Sequence, residues 1–395
     1  MARIGIDIRS LLEGYRTGIG EYTYNLINEF LKKDTESEYH LFYNQRHSIK
    51  KDPPKFESPN VKVFDYKYPN RWFNLSLRYF GWPRLEKLDG EPDVMWYPNF
   101  GFINFNIKVP YVLTVHDLSF ERYPEFFTRP HRLWHKLINC RRMARGATKV
   151  IAVSENTKRD LIELYGVDEG KIEVVYEGID AKLRKECETT RLAKTSLARR
   201  GWAKMRKVQE KYNLPEKFVL FLGTIEPRKN IEAVIRAFDK ASYEFPSYEL
   251  LLAGGKGWNN KGIYEIHNKL KNKDKIRFLG YVEHEEKPAL YKLASLFVFP
   301  SIYEGFGLPP LEAMACGTPV ITSNASSLPE VVGDAGLMVN PYNINELVEA
   351  MKVMLSDAEL RQRFIEKGLA RAQKFTWERC AEKTLELIQQ IKADF

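Results

Sequence analysis

Short apolar runs alternate with longer amphipathic stretches along the chain. Apolar runs bounded by Gly, Pro or charged residues are typical of buried strands in a parallel sheet, and stretches with a helical period predict the helices between them. In the first half, helices such as Gly20–Lys33 and Asn156–Tyr165 are predicted between strands. These strands are expected at Arg3–Ile8, His40–Tyr43, Val61–Phe64, Val94–Tyr97, Tyr111–Val115, Lys149–Val153 and Lys171–Val175.

The same alternation starts again in the middle of the chain. The second set of strands is predicted at Phe218–Gly223, Glu249–Ala253, Lys275–Leu279, Leu296–Pro300, Pro319–Thr322 and Gly336–Val339. Helices are expected between them at Asn230–Phe245, His284–Ala294, Leu311–Ala315, Ile344–Ser356 and Asp357–Lys374. Two such series predict an α/β protein of two Rossmann-like, doubly wound domains facing a central cleft, into which the carboxyl ends of the strands point.

A basic segment separates the two series. We expect a first domain over 1–180, a linker or insertion over 181–212, a second domain over 213–375 and a C-terminal helix over 376–395. Residues 182–211 hold eleven Lys or Arg against three Glu, a local charge of +8. We expect a helical insertion there, which is either a solvated charged helix or a contact with an anionic membrane surface.

Composition narrows the class of protein. A chain of 395 residues is long enough for two domains, and its 44% hydrophobic content is that of a globular protein. The net charge of +9 indicates anionic partners such as nucleotide diphosphates, acidic lipids or nucleic acid. The four cysteines, which show no paired spacing, are expected to be reduced thiols, and no metal site is predicted. They are Cys140, Cys187, Cys316 and Cys380.

Nothing in the sequence resembles a secretion signal or a spanning helix. The chain begins almost directly with the strand-like Ile4–Ile8, and no apolar run approaches the ~18–20 residues that cross a bilayer. We therefore expect a cytoplasmic protein, either soluble or peripheral on the inner face of the plasma membrane.

The most informative segment runs from Ser301 to Val331. Two carboxylates, Glu304 and Glu312, flank a glycine-rich turn that leads into a helix of small residues. Backbone amides at Gly305, Phe306 and Gly307 are able to approach a polyhydroxylated ligand closely, because glycine carries no Cβ. With Leu308, which follows the turn, they are predicted to bind a nucleotide sugar, one glutamate taking the hexose hydroxyls and the other the ribose.

This segment resembles retaining glycosyltransferases of family 4. The resemblance lies in the two glutamates with seven residues between them, in G-F-G-L-P-P between them and in E-A-M-A-C-G-T-P-V from Glu312 onward. It covers almost the whole chain, is most specific from Gly223 to Val339 and is weakest over 45–88 and 181–213. It implies the GT-B fold and transfer of a hexose from a nucleotide sugar, and a C-terminal helix that crosses back onto the first domain after Phe375-Thr376-Trp377.

A second motif in the second domain is Gly223-Thr-Ile-Glu-Pro-Arg-Lys-Asn230, between a strand and a helix. The position of Arg228 and Lys229 near a helix N-terminus favours an anion, and the motif matches the family pattern. We expect both side chains to neutralise the departing diphosphate, with Gly223 beside the donor. Because these two cations would replace a divalent metal, no metal or other cofactor is predicted.

In the first domain, the loop from Gly14 to Gly20 is not a dinucleotide fingerprint, because Thr23 stands where its last glycine is needed. The resemblance implies that Gly18 and Gly20 lie against the donor phosphates and that Tyr15 lies near the acceptor. It also implies that His116, at the end of the strand Tyr111–Val115, orients the transferred sugar.

The acceptor is expected to bind mainly to the first domain. Asp117 and two aromatic stretches, 66–84 with Trp72 and 100–105 with Phe100, are the candidate contacts, although such aromatics also serve as core residues. A glycan or lipid-linked saccharide is the predicted acceptor. The resemblance further implies front-face displacement, in which the leaving phosphate accepts the acceptor's proton.

The sequence leaves the identity of the donor sugar nucleotide open. The segment Asn324–Val331 and the following Gly333-Asp-Ala-Gly336 resemble bacterial mannosyltransferases that use GDP-mannose. UDP-glucose, UDP-GlcNAc and a deoxysugar donor are the alternatives.

Two other classes of protein are alternative hypotheses. One is a non-catalytic basic protein that binds membrane or nucleic acid. The other is a nicotinamide-dependent dehydrogenase, which the missing dinucleotide fingerprint disfavours. With a transferase site intact, we expect no nucleic-acid partner.

Overall fold

The computed structural model describes residues 2–12, 18–44, 53–84, 91–105, 108–189 and 196–393. The chain divides into two compact units. Unit 1 comprises Met1–Arg122, Arg129–Gly178 and Trp377–Phe395, and unit 2 comprises Tyr123–Thr128 and Ile179–Thr376. Each unit contains one parallel β-sheet.

The sheet of unit 1 has seven strands in the order β3-β2-β1-β4-β5-β6-β7. They are β1 (Arg3–Asp7), β2 (Glu38–Tyr43), β3 (Val61–Asp65), β4 (Val94–Tyr97), β5 (Tyr111–Val115), β6 (Lys149–Ala152) and β7 (Ile172–Val174). The helices are α1 (Gly18–Lys33), α2 (Asn70–Phe80), α3 (Ser119–Arg122), α4 (Arg129–Ile138), α5 (Cys140–Gly146), α6 (Glu155–Asp160) and α16 (Trp377–Ala393), and a π-helical turn spans Leu161–Tyr165.

The two faces of this sheet bury two separate apolar clusters, as the two-residue period of a strand requires. In β4, Val94 and Trp96 pack into the cluster formed with α1 and α16, whereas Met95 and Tyr97 pack into the cluster on the other face. Because both faces are covered, the central strands are buried at every position, which explains why their sequences are almost entirely apolar.

The sheet of unit 2 has six strands in the order β10-β9-β8-β11-β12-β13. They are β8 (Phe218–Leu222), β9 (Glu249–Ala253), β10 (Ile276–Gly280), β11 (Leu296–Phe299), β12 (Val320–Ser323) and β13 (Leu337–Val339). The first helices are α7 (Ala181–Thr189), α8 (Ser196–Tyr212), α9 (Ile231–Ala241), α10 (Lys261–Lys269) and α11 (Lys287–Leu293). They are followed by α12 (Leu308–Ala315), α13 (Leu328–Val332), α14 (Ile344–Ser356) and α15 (Ala358–Ala372).

The prediction of two doubly wound α/β sheets is confirmed, and every predicted strand is present within two residues of its expected ends. The helices differ more. The helix expected at Asn230–Phe245 begins one residue later and ends at Ala241, and α12 begins at Leu308, where Pro309 and Pro310 occupy its first turn. The described parts of the basic segment lie in α7 and α8. No helix among the described residues is long and apolar enough to span a membrane.

The prediction of four reduced thiols is wrong for one pair. Cys187 on α7 and Cys316 at the end of α12 form a disulfide, with their Cα atoms 5.0 Å apart. The packing of α7 against α12 brings together two residues separated by 129 positions, a proximity that spacing in the sequence does not reveal. Cys140 and Cys380 are free and buried.

Candidate functional site in two parallel sheets

The topological switch point of unit 2 lies between β8 and β11. These strands are neighbours, but the chain winds from β8 toward β9 on one side and from β11 toward β12 on the other. Loops leaving the carboxyl ends of such strands diverge and open a crevice where ligands bind. Both predicted donor motifs, 223–230 and 301–312, leave from these two strand ends.

The absence of a side chain at Gly254 allows the ends of β8 and β9 to meet. Gly254 has a φ of +146°, and a Cβ there would lie 1.9 Å from the carbonyl oxygen of Gly223. The Gly223 amide in turn donates to the carbonyl of Ala253 at 2.9 Å. A side chain at position 254 would therefore separate the two strand ends.

Asn230 links the motif 223–230 to the chain that leads into the motif 301–312. It adopts a left-handed conformation, with φ of 57°, between the short 3-10 turn Pro227–Lys229 and α9. Its amide nitrogen donates to the carbonyls of Pro300, at 3.1 Å, and Pro341, at 2.7 Å. The Arg228–Lys229 turn is thereby held against the loop that carries Glu304.

Four charged side chains meet at this point. Lys229 Nζ lies 2.6 Å from Glu304 Oε1, and Arg228 Nη1 donates to Glu304 Oε2 at 3.1 Å. Arg228 Nε lies 2.7 Å from Glu226 Oε1 and Nη1 also donates to the carbonyl of Tyr303. The structure thus brings together three residues predicted as catalytic and adds Glu226, which the sequence motif contains but to which no role was assigned.

The charge states of this cluster follow from burial and pairing. Burial would raise the pKa of the Glu304 carboxyl, but the charges of Lys229 and Arg228 outweigh it, so that the pKa is below the usual value. Burial and the charge of Arg228 lower the pKa of the Lys229 ammonium, while the two glutamates partly oppose them. Glu304 is therefore ionised at neutral pH and lies between the side chains of Lys229 and Arg228.

The turn from Gly305 to Leu308 is shaped by the backbone. Gly307 has a φ of +117°, and a Cβ there would approach Leu328 Cδ2 to 2.8 Å. Ser327, not predicted as a site residue, donates its hydroxyl to the carbonyls of Glu304 and Phe306, at 3.0 and 2.7 Å. The Phe306 ring itself is buried and packs edge-on against Phe375. Any contact of Phe306 with a ligand would therefore come from its backbone.

Glu312 has a separate set of partners on α11. The Tyr291 hydroxyl donates to Glu312 Oε2 at 2.8 Å, and Lys287 Nζ lies 3.5 Å from Oε1. Burial and the nearby Glu312 charge raise the pKa of Tyr291 well above its usual value, so this phenol stays a donor. The two predicted glutamates are thus fixed independently of each other, and Tyr291 is a supporting residue that the motif did not reveal.

Unit 1 contains a cavity of about 440 Å³ at its own switch point, between β1 and β4. Its charged lining residues are Asp7 and Arg9, whose guanidinium forms a bidentate pair with the carboxylate at 2.5–3.0 Å. Phe100, predicted as an acceptor contact, lines the cavity, whereas Trp72 does not. The other lining residues are Ser10, Leu12, Ile19, Asn44, Asn70, Phe73, Asn74, Pro98, Asn99, Gly101, Phe102 and Trp134.

His116 is held by unit 1 at both ring nitrogens. Nδ1 lies 2.9 Å from Glu177 Oε1, and Nε2 lies 2.9 Å from the carbonyl oxygen of Pro98. A carbonyl only accepts, so Nε2 carries a proton. Glu177 follows β7 and was not predicted as a site residue. In this conformation both ring nitrogens are engaged, and the proposed role of His116 in orienting a sugar stays a prediction.

The remaining first-domain predictions have different outcomes. Asp117 Oδ1 accepts from the backbone nitrogen and hydroxyl of Ser119, the first residue of α3, at 2.9 and 2.6 Å. Gly18 and Gly20 lie in the first turn of α1, and a Cβ at Gly18 would meet no atom within 4 Å. Tyr15 lies outside the described residues.

In the described part of the chain, no group of three or more His, Cys, Asp or Glu side chains is arranged so that it could hold a metal ion.

Comparison with known proteins identifies the family. The model of "Glycosyltransferase Family 4" matches residues 16–183, and that of "Glycosyl transferases group 1" matches residues 204–371. The O-antigen chain mannosyltransferase B of Escherichia coli is 35% identical over 277 residues, which are 69% of this chain and 68% of that protein. The serotype-specific mannosyltransferase WbdA of Escherichia coli is 37% identical over 186 residues, which are 46% of this chain but 23% of that protein.

Solved structures share the fold at lower identity. A sucrose-phosphate synthase from Thermosynechococcus elongatus matches with a TM-score of 0.76 and 22% identity, over the full length of both chains. This likeness confirms the GT-B fold class of the two Rossmann-like units. With both family models matched and a relative above one-third identity along most of its length, the chain belongs to glycosyltransferase family 4.

Proposed function

We propose that this glycosyltransferase moves a mannosyl residue from GDP-mannose to a glycan or lipid-linked saccharide, with retention of configuration and without a metal ion. The observation that carries the proposal is the buried cluster of Glu304, Lys229, Arg228 and Glu226 at the switch point of unit 2. Two relatives are named as mannosyltransferases, which supports mannose as the sugar.

The cluster suits a site for a leaving diphosphate. Holding Lys229 and Arg228 in place before the ligand arrives reduces the reorganisation needed as charge develops on the phosphate oxygens. The guanidinium supplies several donors in a fixed plane, whereas the ammonium acts as a compact charge. Their carboxylate partners offset the positive charge, which limits the cost of burying two basic side chains.

The two glutamates would divide the recognition of the sugar and the nucleoside. Glu304, ionised and facing the cations, is proposed to accept hydrogen bonds from the hexose hydroxyls beside the diphosphate. Glu312, fixed by Tyr291, is proposed to bind the ribose hydroxyls. The acceptor hydroxyl oxygen would form the new bond to the anomeric carbon on the face from which the diphosphate departs, and the leaving phosphate would accept the hydroxyl proton, so neither a protein nucleophile nor a protein base is invoked.

The cavity of unit 1 is the proposed acceptor site. At about 440 Å³ it falls within the range of small-molecule pockets, and its asparagines and aromatic rings match the hydroxyls and apolar faces of sugars. The charge of Arg9 is already balanced by Asp7, which favours an uncharged saccharide over a phosphate group.

Membrane association of residues 182–211 is also proposed, at the cytoplasmic face. Some of the charge of this segment is used internally, since Lys204 pairs with Glu186 at 2.7 Å and Lys211 with Glu286 at 2.6 Å. Arg206 and Lys207 are exposed and are the residues we propose to face acidic lipid. Binding to vesicles that does not change when both are replaced by serine would contradict this contact.

Transfer assays test the proposed activity. The protein is incubated with GDP-mannose, UDP-glucose or UDP-GlcNAc and a fluorescent mannoside acceptor, with and without a chelator, and the anomer formed is identified by NMR. We expect an α-mannoside from GDP-mannose in the presence of chelator. Efficient transfer from a UDP-sugar instead would establish the alternative donor, and strong inhibition by chelator would contradict metal independence.

A non-catalytic binding protein is the alternative class. It predicts no turnover with any nucleotide sugar, together with vesicle or nucleic-acid binding that is unaffected by Arg228→Ala and Lys229→Ala.

A further inference from the structure

Helix α2 exposes an aromatic face that no other part of unit 1 covers among the described residues. Trp72 is 73% exposed, Tyr79 is 63% exposed and Phe80 is 83% exposed. Leu75 and Trp82 are about half exposed. We call these five residues the aromatic face.

The geometry of the helix explains why three of these side chains share one surface. Residues 72, 75 and 79 are spaced by three and four, so they follow one stripe along the helix. The opposite side carries Phe73 and Leu77, which are buried in the core of unit 1. The helix is therefore anchored from within and presents its outer side to the surroundings.

The end of α2 is fixed as well. Gly81 adopts a left-handed conformation with φ of 62°, and a Cβ there would lie 2.7 Å from Asn104 Oδ1. The Trp82 ring packs edge-on against Tyr68, with centroids 5.0 Å apart, and Tyr68 stacks on Phe73. The aromatic face is consequently a built surface and not a loose segment.

Exposure of this kind differs from the single apolar residues of an ordinary surface. In unit 2, exposed aromatics such as Trp202, Tyr243 and Tyr342 are far apart along the chain. Scattered residues need no explanation, whereas a contiguous apolar patch marks a surface that meets an apolar or interfacial environment.

The charges around the patch identify its partner. Between Tyr66 and Arg84 the sequence contains four cations and no acidic residue. Trp and Tyr prefer the boundary between lipid tails and headgroups, and basic residues beside them attract anionic headgroups. The four cations are Lys67, Arg71, Arg78 and Arg84.

We propose that the aromatic face of α2 inserts into the headgroup region of an anionic lipid bilayer, with the flanking cations on the lipid phosphates. This contact is separate from the one proposed for residues 182–211 and does not depend on the donor. It predicts binding in two parts, one that salt screens and one, due to the aromatic rings, that salt leaves largely intact.

Vesicle sedimentation tests the proposal on the full-length protein. The wild type is compared with the triple variant Trp72→Ser, Tyr79→Ser, Phe80→Ser on vesicles of phosphatidylcholine alone or mixed with phosphatidylglycerol, at low and high salt. The matched control is Tyr243→Ser with Tyr342→Ser, which removes two equally exposed aromatics of unit 2. Circular dichroism and the unfolding midpoint confirm that each variant is folded.

We expect the triple variant to lose at least about tenfold in partitioning to the mixed vesicles, at both salt concentrations, since several rings leave the interface together. The control should bind like the wild type. With brominated lipids, quenching of tryptophan fluorescence should fall in Trp72→Phe compared with the wild type.

Any one of the following results would overturn the proposal. The first is that wild-type protein does not bind anionic vesicles, and the second is that the triple variant binds as well as the control. The third is that binding depends only on Arg206 and Lys207. A triple variant that keeps vesicle binding but loses binding to a single-stranded oligonucleotide would assign the surface to nucleic acid and likewise contradict lipid insertion.

Discussion

Lys229 Nζ lies 2.6 Å from Glu304 Oε1, and both side chains are more than nine-tenths buried. The pair joins the turn after β8 to the loop after β11, so each residue positions the other. Removing one partner of a buried pair leaves the other charge without compensation, which is more costly than removing both.

The first prediction concerns this pair. Lys229→Ala and Glu304→Ala should each lower the free energy of unfolding by about 3 kcal/mol, because each leaves a buried charge without its closest partner. The double variant should lose less than the sum of the two. A double-mutant cycle by urea unfolding measures this, and additive losses would show that the two charges are not coupled.

The second prediction separates the two glutamates. Tyr291→Phe removes the hydroxyl that donates to Glu312 and should raise the donor KM by about tenfold, corresponding to about 1.4 kcal/mol, with a smaller effect on kcat. Arg228→Ala should lower kcat strongly. Steady-state kinetics with varied donor measures both, and equal effects of the two variants on kcat would count against separate roles.

The third prediction is a pH dependence of stability. Burial lowers the pKa of His135, which stacks on Phe120, to about 4. The unfolded state therefore binds a proton below its ordinary pKa of about 6.5, while the folded state does not. The contribution of His135 to the free energy of unfolding is fully present above pH ~6.5. It decreases as the pH falls toward ~4, by up to about 3 kcal/mol.

Chemical unfolding of the wild type and of His135→Phe at several pH values between ~4 and ~8 checks the third prediction. The variant should show a flatter decline toward acid. A wild-type profile that is as flat as that of the variant would mean that His135 titrates normally in the folded protein.

The fourth prediction uses two glycines in different environments. Gly254→Ala places a Cβ against the Gly223 carbonyl at a φ of +146°, so it should destabilise unit 2 by about 2 kcal/mol or more. Gly18→Ala meets open space in the described structure and should leave the unfolding midpoint within a few degrees of the wild type. If Gly18 lies near the donor, its alanine variant loses activity while remaining stable.

Elements whose side chains are buried are easier to predict from the sequence than elements with exposed apolar side chains. The strands are predictable because central strands such as β5 and β8 are buried at every position, which makes their sequences almost entirely apolar. Helix α2 was not predicted; its buried residues are Phe73 and Leu77, whereas the equally apolar rings of Trp72 and Phe80 are exposed, and the sequence does not show which of these rings the fold covers.

The sequence predicted the motif residues of the site but not the residues that hold them in place. Arg228, Lys229 and Glu304 were found from local patterns next to strand ends. Tyr291, which lies 21 positions from Glu312, was missed, since a contact made by packing leaves no mark in local spacing. The same reason explains why Glu177 and the Cys187–Cys316 pair were missed.

The most direct test of the central claim is a thermal-shift series with GDP, UDP, dTDP, ADP and NAD in the absence of metal. It compares the wild type with the double variant Arg228→Ala, Lys229→Ala. For each protein, the unfolding midpoint without ligand is the reference. A ligand at about a hundred times its Kd stabilises the folded state by about 2.7 kcal/mol. We predict that GDP raises the midpoint of the wild type and leaves that of the double variant unchanged. Stabilisation by none of the nucleotides, or by GDP equally in both proteins, would contradict a nucleotide-sugar site built on Arg228 and Lys229.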